Sequence, residues 1–181
     1  EVMGVNNLYQ LSIAEDYFQN KIRKMFMLKG VKLHNPKTIN FSYDTKVEPN
    51  VEIGPNNTFG KSVVIKKNVS IGASNNIEHT VINDSAKVGP FSRLRGGTII
   101  GKFAKIGNFV EIKNSKIGDY SKINHLSYIG DSKVGKSSNI GAGTITCNYD
   151  GKKKHMTIIG NNVFIGSNCA LVAPIKINNK A

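Results

Sequence analysis

Few side chains in this sequence can do acid–base or covalent chemistry. There are four histidines, His34, His79, His125 and His155, and two cysteines, Cys147 and Cys169. A neutral imidazole is the natural proton acceptor near pH 7. His125 lies in the run Ile123-Asn124-His125-Leu126-Ser127-Tyr128, two residues past an aliphatic position. That spacing faces it out of a core, as a general base or as a solvated surface histidine. Arg95 follows Leu94 and Lys113 follows Ile112, so a cation recurs at an equivalent place 18 residues on. Stacked on one face, the two would repel unless an anion such as a phosphate lay across them; a solvated basic ladder is the alternative. No His-x-x-His or Cys-x-x-Cys spacing marks a metal site, and no Gly-rich loop between strand and helix marks a nucleotide cradle. The two cysteines read as small core or loop residues.

A repeat must position these groups. The aliphatic positions run Ile53, Phe59, Ile65, Ile71, Ile77, Ile82, Val88, Leu94, Ile100, Ile106, Ile112, Ile117, Ile123, Ile129, Val134, Ile140, then resume at Ile159, Ile165, Leu171 and Ile177. Steps of six, with three of five, fit neither a helix nor an alternating strand. They fit a short strand plus a tight turn, three to a triangular coil, the hexapeptide parallel β-helix. The glycine or asparagine that often follows the aliphatic residue is expected to take the turn at positive φ. Residues 53–181 make roughly seven coils at about 4.8 Å each, which puts Arg95 and Lys113 one above the other on one face.

Residues 8–29 carry apolar side chains at helical spacing (Leu8, Leu11, Phe18, Ile22, Met25, Phe26), with Gly30 as a stop and Ser12 with Glu15 as a possible capping box. This helix must cover its apolar face on the β-helix or on another domain. A connector around His34-Asn35-Pro36 follows. Thr146 to Ile158 breaks the repeat and reads as an extruded loop with a Lys152-Lys153-Lys154 tip, the kind of insertion that lines binding sites. Lys and Arg number 25 against 12 Asp and Glu, a net charge of +13. That favours anionic partners. The lysines are scattered and no aromatic-rich basic strands occur, so nucleic acid is not expected. There is no run of 18 apolar residues and no signal peptide, and the two cysteines suit a reducing compartment, so a cytoplasmic protein without a transmembrane segment is expected.

Four stretches go beyond a generic repeat: Val88-Gly-Pro-Phe-Ser-Arg-Leu-Arg95, Gly107-Asn-Phe-Val-Glu-Ile-Lys113, His125-Leu-Ser-Tyr-Ile-Gly-Asp131 and Asn139-Ile-Gly-Ala-Gly-Thr-Ile-Thr-Cys-Asn-Tyr-Asp-Gly151. They closely resemble the bacterial bifunctional N-acetylglucosamine-1-phosphate uridylyltransferase / glucosamine-1-phosphate acetyltransferase, in its C-terminal acetyltransferase part. The match is dense from Val88 to Pro174.

The resemblance implies an all-β left-handed parallel β-helix preceded by an α-helix, working as a homotrimer. It implies acetyl transfer from acetyl-CoA to the amine of glucosamine 1-phosphate, in UDP-N-acetylglucosamine synthesis. By the same resemblance His125 is the general base, and Arg95, Lys113, Tyr128, Asn139 and Lys154 hold the sugar phosphate. Ala142, Asn148, Tyr149 and Ser167 contact acetyl-CoA, and a backbone N–H near Gly141 to Gly143 would stabilise the oxyanion. Asn6 matches a magnesium ligand of the uridylyltransferase site, magnesium serving only that second activity. The implied organisation is 1–7 as the end of a uridylyltransferase domain, 8–45 as linker helix and connector, and 46–181 as a C-terminally truncated β-helix. The nucleotide-binding motif of the uridylyltransferase activity is not in the chain. Another hexapeptide-repeat acyltransferase with a different acceptor is the competing reading of the repeat.

Overall fold

The structure, a computed structural model, describes residues 4–181; Glu1, Val2 and Met3, the start of the stretch 1–7, lie outside the described residues. A single helix, Leu8–Leu28, opens the fold. Its cap is Asn7, whose side chain accepts from the Gln10 N–H at 2.8 Å. The capping box expected at Ser12 and Glu15 is not used: Ser12 lies within the helix and its hydroxyl donates to the Tyr9 carbonyl at 2.7 Å. Gly30, at φ +84°, lets the chain leave the helix.

From Lys32 onward the chain winds into a parallel β-helix whose three walls are eight-stranded sheets. Wall one runs from Lys32–Leu33 to Phe164–Ile165, wall two from Asn40–Phe41 to Ala170–Val172, and wall three from Lys46–Val47 to Ile175–Ile177. The boundary expected at residue 46 therefore moves back to Lys32. One step of the first coil, Leu33 to Phe41, escapes the six-residue count because a 3₁₀ turn, Pro36–Thr38, is inserted there, while Phe41 and Val47 keep it. The helix caps this coil's open end. Ile22 and Phe26 are buried, and Phe26 meets Phe41 edge-on at 4.9 Å, which stacks on Phe59 at 5.0 Å. Arg23, buried beneath the helix, donates from Nε to the Ile39 carbonyl at 2.8 Å. Among the described residues no helix is long and apolar enough to cross a membrane.

Successive coils stack in register. Ile53 pairs with Ile71 and Ile71 with Val88 on wall one; Ile77, Leu94, Ile112 and Ile129 do the same on wall two. These inward side chains form one continuous aliphatic column, nearly all of it without solvent access. A single coil buries little, and stacking completes the core.

The corners depart from expectation. The left-handed backbone positions between walls one and two include Asn56, Ser74, Phe91, Phe109 and Leu126, with φ from 48° to 60°. Of the glycines after the aliphatic residues Gly89 does take positive φ, at +85°, but most are required for a different reason. At Gly107 an added Cβ would stand 2.0 Å from the Asn124 carbonyl oxygen of the next coil, although its φ is not positive. Close approach of coils, not left-handed geometry, selects glycine there. Phe91 and Phe109, bulky for left-handed residues, stack at 5.4 Å, which offsets part of the strain. Gly107→Ala is accordingly expected to lower stability by about 1–3 kcal/mol, the cost of overpacking, in urea unfolding. A midpoint unchanged or raised would mean that backbone freedom alone governs the position.

Candidate active site

Alternate residues of a strand point outward, so wall two presents Arg93 and Arg95, then Glu111 and Lys113, then Tyr128 and Gly130 on successive coils. Arg95 pairs in register with Lys113, and Lys113 with Gly130. The two cations thus share one wall, as their spacing indicates. Glu111, which the sequence reading passed over, lies between them: Arg95 Nε donates to its Oε1 at 2.7 Å, both side chains being about 30% exposed. The signal was available, since Glu111 is two residues before Lys113 and so faces the same way.

Lys154 reaches this group from the inserted loop. The Lys113 ammonium is held below the usual lysine range, first by the like-charged Lys154, then by Arg95, against a weaker opposing effect of Asp131. Neither Lys113 nor Lys154 has an ion-pair partner among the described residues. Three cations against Glu111 and Asp131 leave an excess of positive charge, an arrangement suited to an anion.

The loop is built on Thr146, an inward position where a threonine replaces the aliphatic residue. Its Oγ1 accepts from the Gly130 N–H at 2.7 Å, which satisfies both groups inside the core. Asn148 is buried and donates its amide to Asp131, whose other oxygen accepts from Asn114 at 2.6 Å. A methyl at Gly130 would touch both Tyr128 Oη and Asn148 Nδ2, so the Tyr128 ring lies across Gly130 towards Asn148. Tyr149 bridges to Lys154 in an antiparallel pair.

His125 closes a wall-one strand at the corner leading into wall two, one strand's length from Lys113. Its Nδ1 is 2.9 Å from Asn108 Oδ1. An amide oxygen only accepts, so Nδ1 carries the proton and Nε2 keeps its lone pair. The ring is exposed. Ala142 and Ser167 stand above it on the same corner, as backbone bonds from Gly143 N–H to the His125 carbonyl and from Asn168 N–H to the Ala142 carbonyl show. Gly141 and Gly143 both donate their N–H groups within the stack, so of the three residues Gly141 to Gly143 only Ala142 has an N–H free for another acceptor among the described residues.

Asn139 is not brought to this group within one chain. It sits on wall one between Lys122 and Phe164, lining a groove of about 500 Å³ with Lys87, Lys105 and Tyr120. His34 pairs with Glu52 and His155 with Asp150, both off the site. Asn6 is exposed before the helix, and its backbone N–H donates to Gln10. Among the described residues no cluster of three acidic, histidine or cysteine side chains exists.

A coiled core, an anion site on one wall and an imidazole at the next corner place the protein in the hexapeptide-repeat class of left-handed parallel β-helices. A solved structure, LpxA from Acinetobacter baumannii, superposes with a TM-score of 0.52 over 77% of this chain and 66% of its own, at 15% identity, which shows the shared fold. The chain belongs to the family described as the GMPPB C-terminal domain, whose family model matches residues 76–181. Among curated relatives, the bifunctional protein GlmU of Wolbachia pipientis wMel is 50% identical over 181 residues, 100% of this chain and 42% of that protein. GlmU of Zymomonas mobilis is 51% identical over 177 residues, 98% and 39% of the two. The kinship read from the four motifs is thereby shown. The chain spans about two fifths of the length of these relatives.

Lys154→Ala should move the Lys113 titration up toward the ordinary lysine range, followed by NMR of labelled lysine side chains. An unmoved Lys113 would mean that Lys154 does not belong to the cation group.

Proposed function

We propose that the protein transfers the acetyl group of acetyl-CoA to the amine of glucosamine 1-phosphate, giving N-acetylglucosamine 1-phosphate and CoA for UDP-N-acetylglucosamine synthesis. The observation that carries this is Arg95 stacked on Lys113 with Lys154 converging on them, one wall's width from His125. A phosphate dianion across the three cations removes their repulsion and gains charge-assisted hydrogen bonds. Tyr128, between the cations and His125, lies where a sugar ring would rest.

An ammonium cannot attack a thioester until it loses a proton. His125 Nε2, left with its lone pair by the bond to Asn108, takes that proton. The amine attacks the carbonyl carbon, and the N–H of Ala142 receives the developing oxyanion. The nitrogen sheds its second proton to solvent, the C–S bond breaks, and the imidazolium returns the first proton to the departing thiolate, leaving a neutral amide and the CoA thiol. Ala142 and Ser167, stacked above His125, mark the track along which acetyl-CoA lies, with Asn148 and Tyr149 contributing from the loop. No residue needs to be acylated.

Asn139 is on another wall, so its part in holding the sugar phosphate requires a neighbouring copy. A homotrimer that sets wall one of one subunit against wall two of the next supplies it. Whether a uridylyltransferase activity, with its magnesium and Asn6, accompanies this one in the whole protein belongs to the same proposal, as does a cytoplasmic location.

In a thiol-release assay with acetyl-CoA, glucosamine 1-phosphate should be the preferred acceptor over a panel of other amines and alcohols. His125→Ala should lower kcat by about 10²–10⁴-fold, the usual contribution of a general base, with an unchanged unfolding midpoint. Preference for a different acceptor would overturn the substrate, and near-normal turnover by His125→Ala the base. Acceptor affinity should also fall as pH rises, starting below the range in which an ordinary lysine deprotonates, because Lys113 loses its charge early.

A further inference from the structure

The loop that carries Lys154 is built around a residue with no role so far. Asp150 sits at its tip, exposed, yet both carboxylate oxygens are committed. Oδ1 accepts from the backbone N–H groups of Lys152 at 2.7 Å and Lys153 at 2.6 Å, and Oδ2 from His155 Nε2 at 2.7 Å. The Asp150 N–H donates to the Lys153 carbonyl at 3.2 Å, and the His155 N–H to the Asn148 carbonyl at 2.8 Å. The Tyr149 hydroxyl closes the turn on the Gly151 carbonyl at 2.6 Å. A carboxylate with three donors is strongly favoured in its charged form, and the Lys153 N–H, then His155, then the Lys152 N–H hold Asp150 far below the usual carboxylate range.

The consequence is directional. Of the three consecutive lysines, Lys154 alone pairs with Tyr149, beside Asn148, which bonds Asp131, whose N–H donates to the Lys113 carbonyl, and a lowered Lys113 agrees with that placement. Lys154 is paired through its backbone with Tyr149, so the fold of the tip decides which lysine faces wall two. A free tip of this length would sample many arrangements, and ordering each residue costs about 1–2 kcal/mol. Pinning it beforehand removes that cost from ligand binding.

We propose that Asp150, clamped by His155 and the Lys152 and Lys153 amides, is a positioning residue that holds Lys154 over Lys113 and thereby sets the site's preference for a phosphorylated acceptor. The acceptor part of this inference rests on the function proposed above. The loop lies outside the coils, so substitution at its tip leaves the β-helix core untouched.

The test compares the wild-type chain with Asp150→Ala and Asp150→Asn, the second retaining one oxygen for the two amides. Asp150→Ala should raise KM for glucosamine 1-phosphate about tenfold, the equivalent of one charge-assisted contact of about 1.4 kcal/mol, while kcat changes less than about twofold. Asp150→Asn should fall between. In NMR of labelled lysines, Lys113 should titrate higher in Asp150→Ala, by the same amount as in Lys154→Ala, which a merely stabilising role would not produce. Lys113 unmoved, or KM unchanged in a wild type that does turn over, overturns the proposal. If the wild type does not acetylate glucosamine 1-phosphate, the function reading falls, and the Lys113 titration still decides whether Asp150 positions Lys154.

Discussion

The structure depends on one constraint: an aliphatic side chain must point inward once per strand so that successive coils close over it. Ile77, Leu94, Ile112 and Ile129 form such a column on wall two, and removing them from water at about 25 cal/mol per Å² is what holds the short strands together. A one-residue slip would reverse every side chain of a strand. The inward column therefore fixes the outward ones as well. Arg95 stands over Lys113 because Leu94 stands over Ile112.

That rigidity lets the fold tolerate an arrangement that a flexible chain would avoid. Arg95 and Lys113 are neighbours through the backbone ladder, and Glu111 answers only one of them. Lys154 adds a third cation from a loop whose base is tied down by Thr146 in the core and by Asn148 against Asp131. The coils, and not the side chains themselves, bear the repulsion, so the site stands ready for an anion before one arrives. On the neighbouring corner the same stacking aligns Asn108, His125, Ala142 and Ser167, which turns a column of unremarkable positions into a base with a defined tautomer and a track above it.

Much of this was legible in the sequence. The six-residue period announced the coil, and its arithmetic put Arg95 over Lys113 and His125 at a corner. The misses have physical causes. The turn at Pro36–Thr38 lengthens the step from Leu33 to Phe41 to eight residues and hid Leu33, whereas Phe41 and Val47 keep the six-residue period up to Ile53 and were overlooked. The glycines after the aliphatic positions were credited with turn geometry, which Gly89 alone of them shows, whereas the other residues at positive φ lie further on and include Phe91 and Phe109. Thr146 replaced an aliphatic residue because it satisfies the Gly130 amide, a demand that no periodicity reveals. Glu111 was legible through alternation but was overlooked, and the clamp around Asp150 depends on a loop conformation that spacing cannot supply. The placement of Asn139 on another wall follows from the period, yet its meaning emerges only when neighbouring copies are considered.

The central claim is that Arg95 and Lys113 grip one and the same anion. A double-mutant cycle on kcat/KM for glucosamine 1-phosphate, with Arg95→Ala, Lys113→Ala and both together, tests it most directly. The account predicts that each single change is costly and that the pair is strongly non-additive, with a coupling of about 0.5–3 kcal/mol, as for residues sharing a partner. Losses that simply add, or a single variant that keeps full activity, would contradict it.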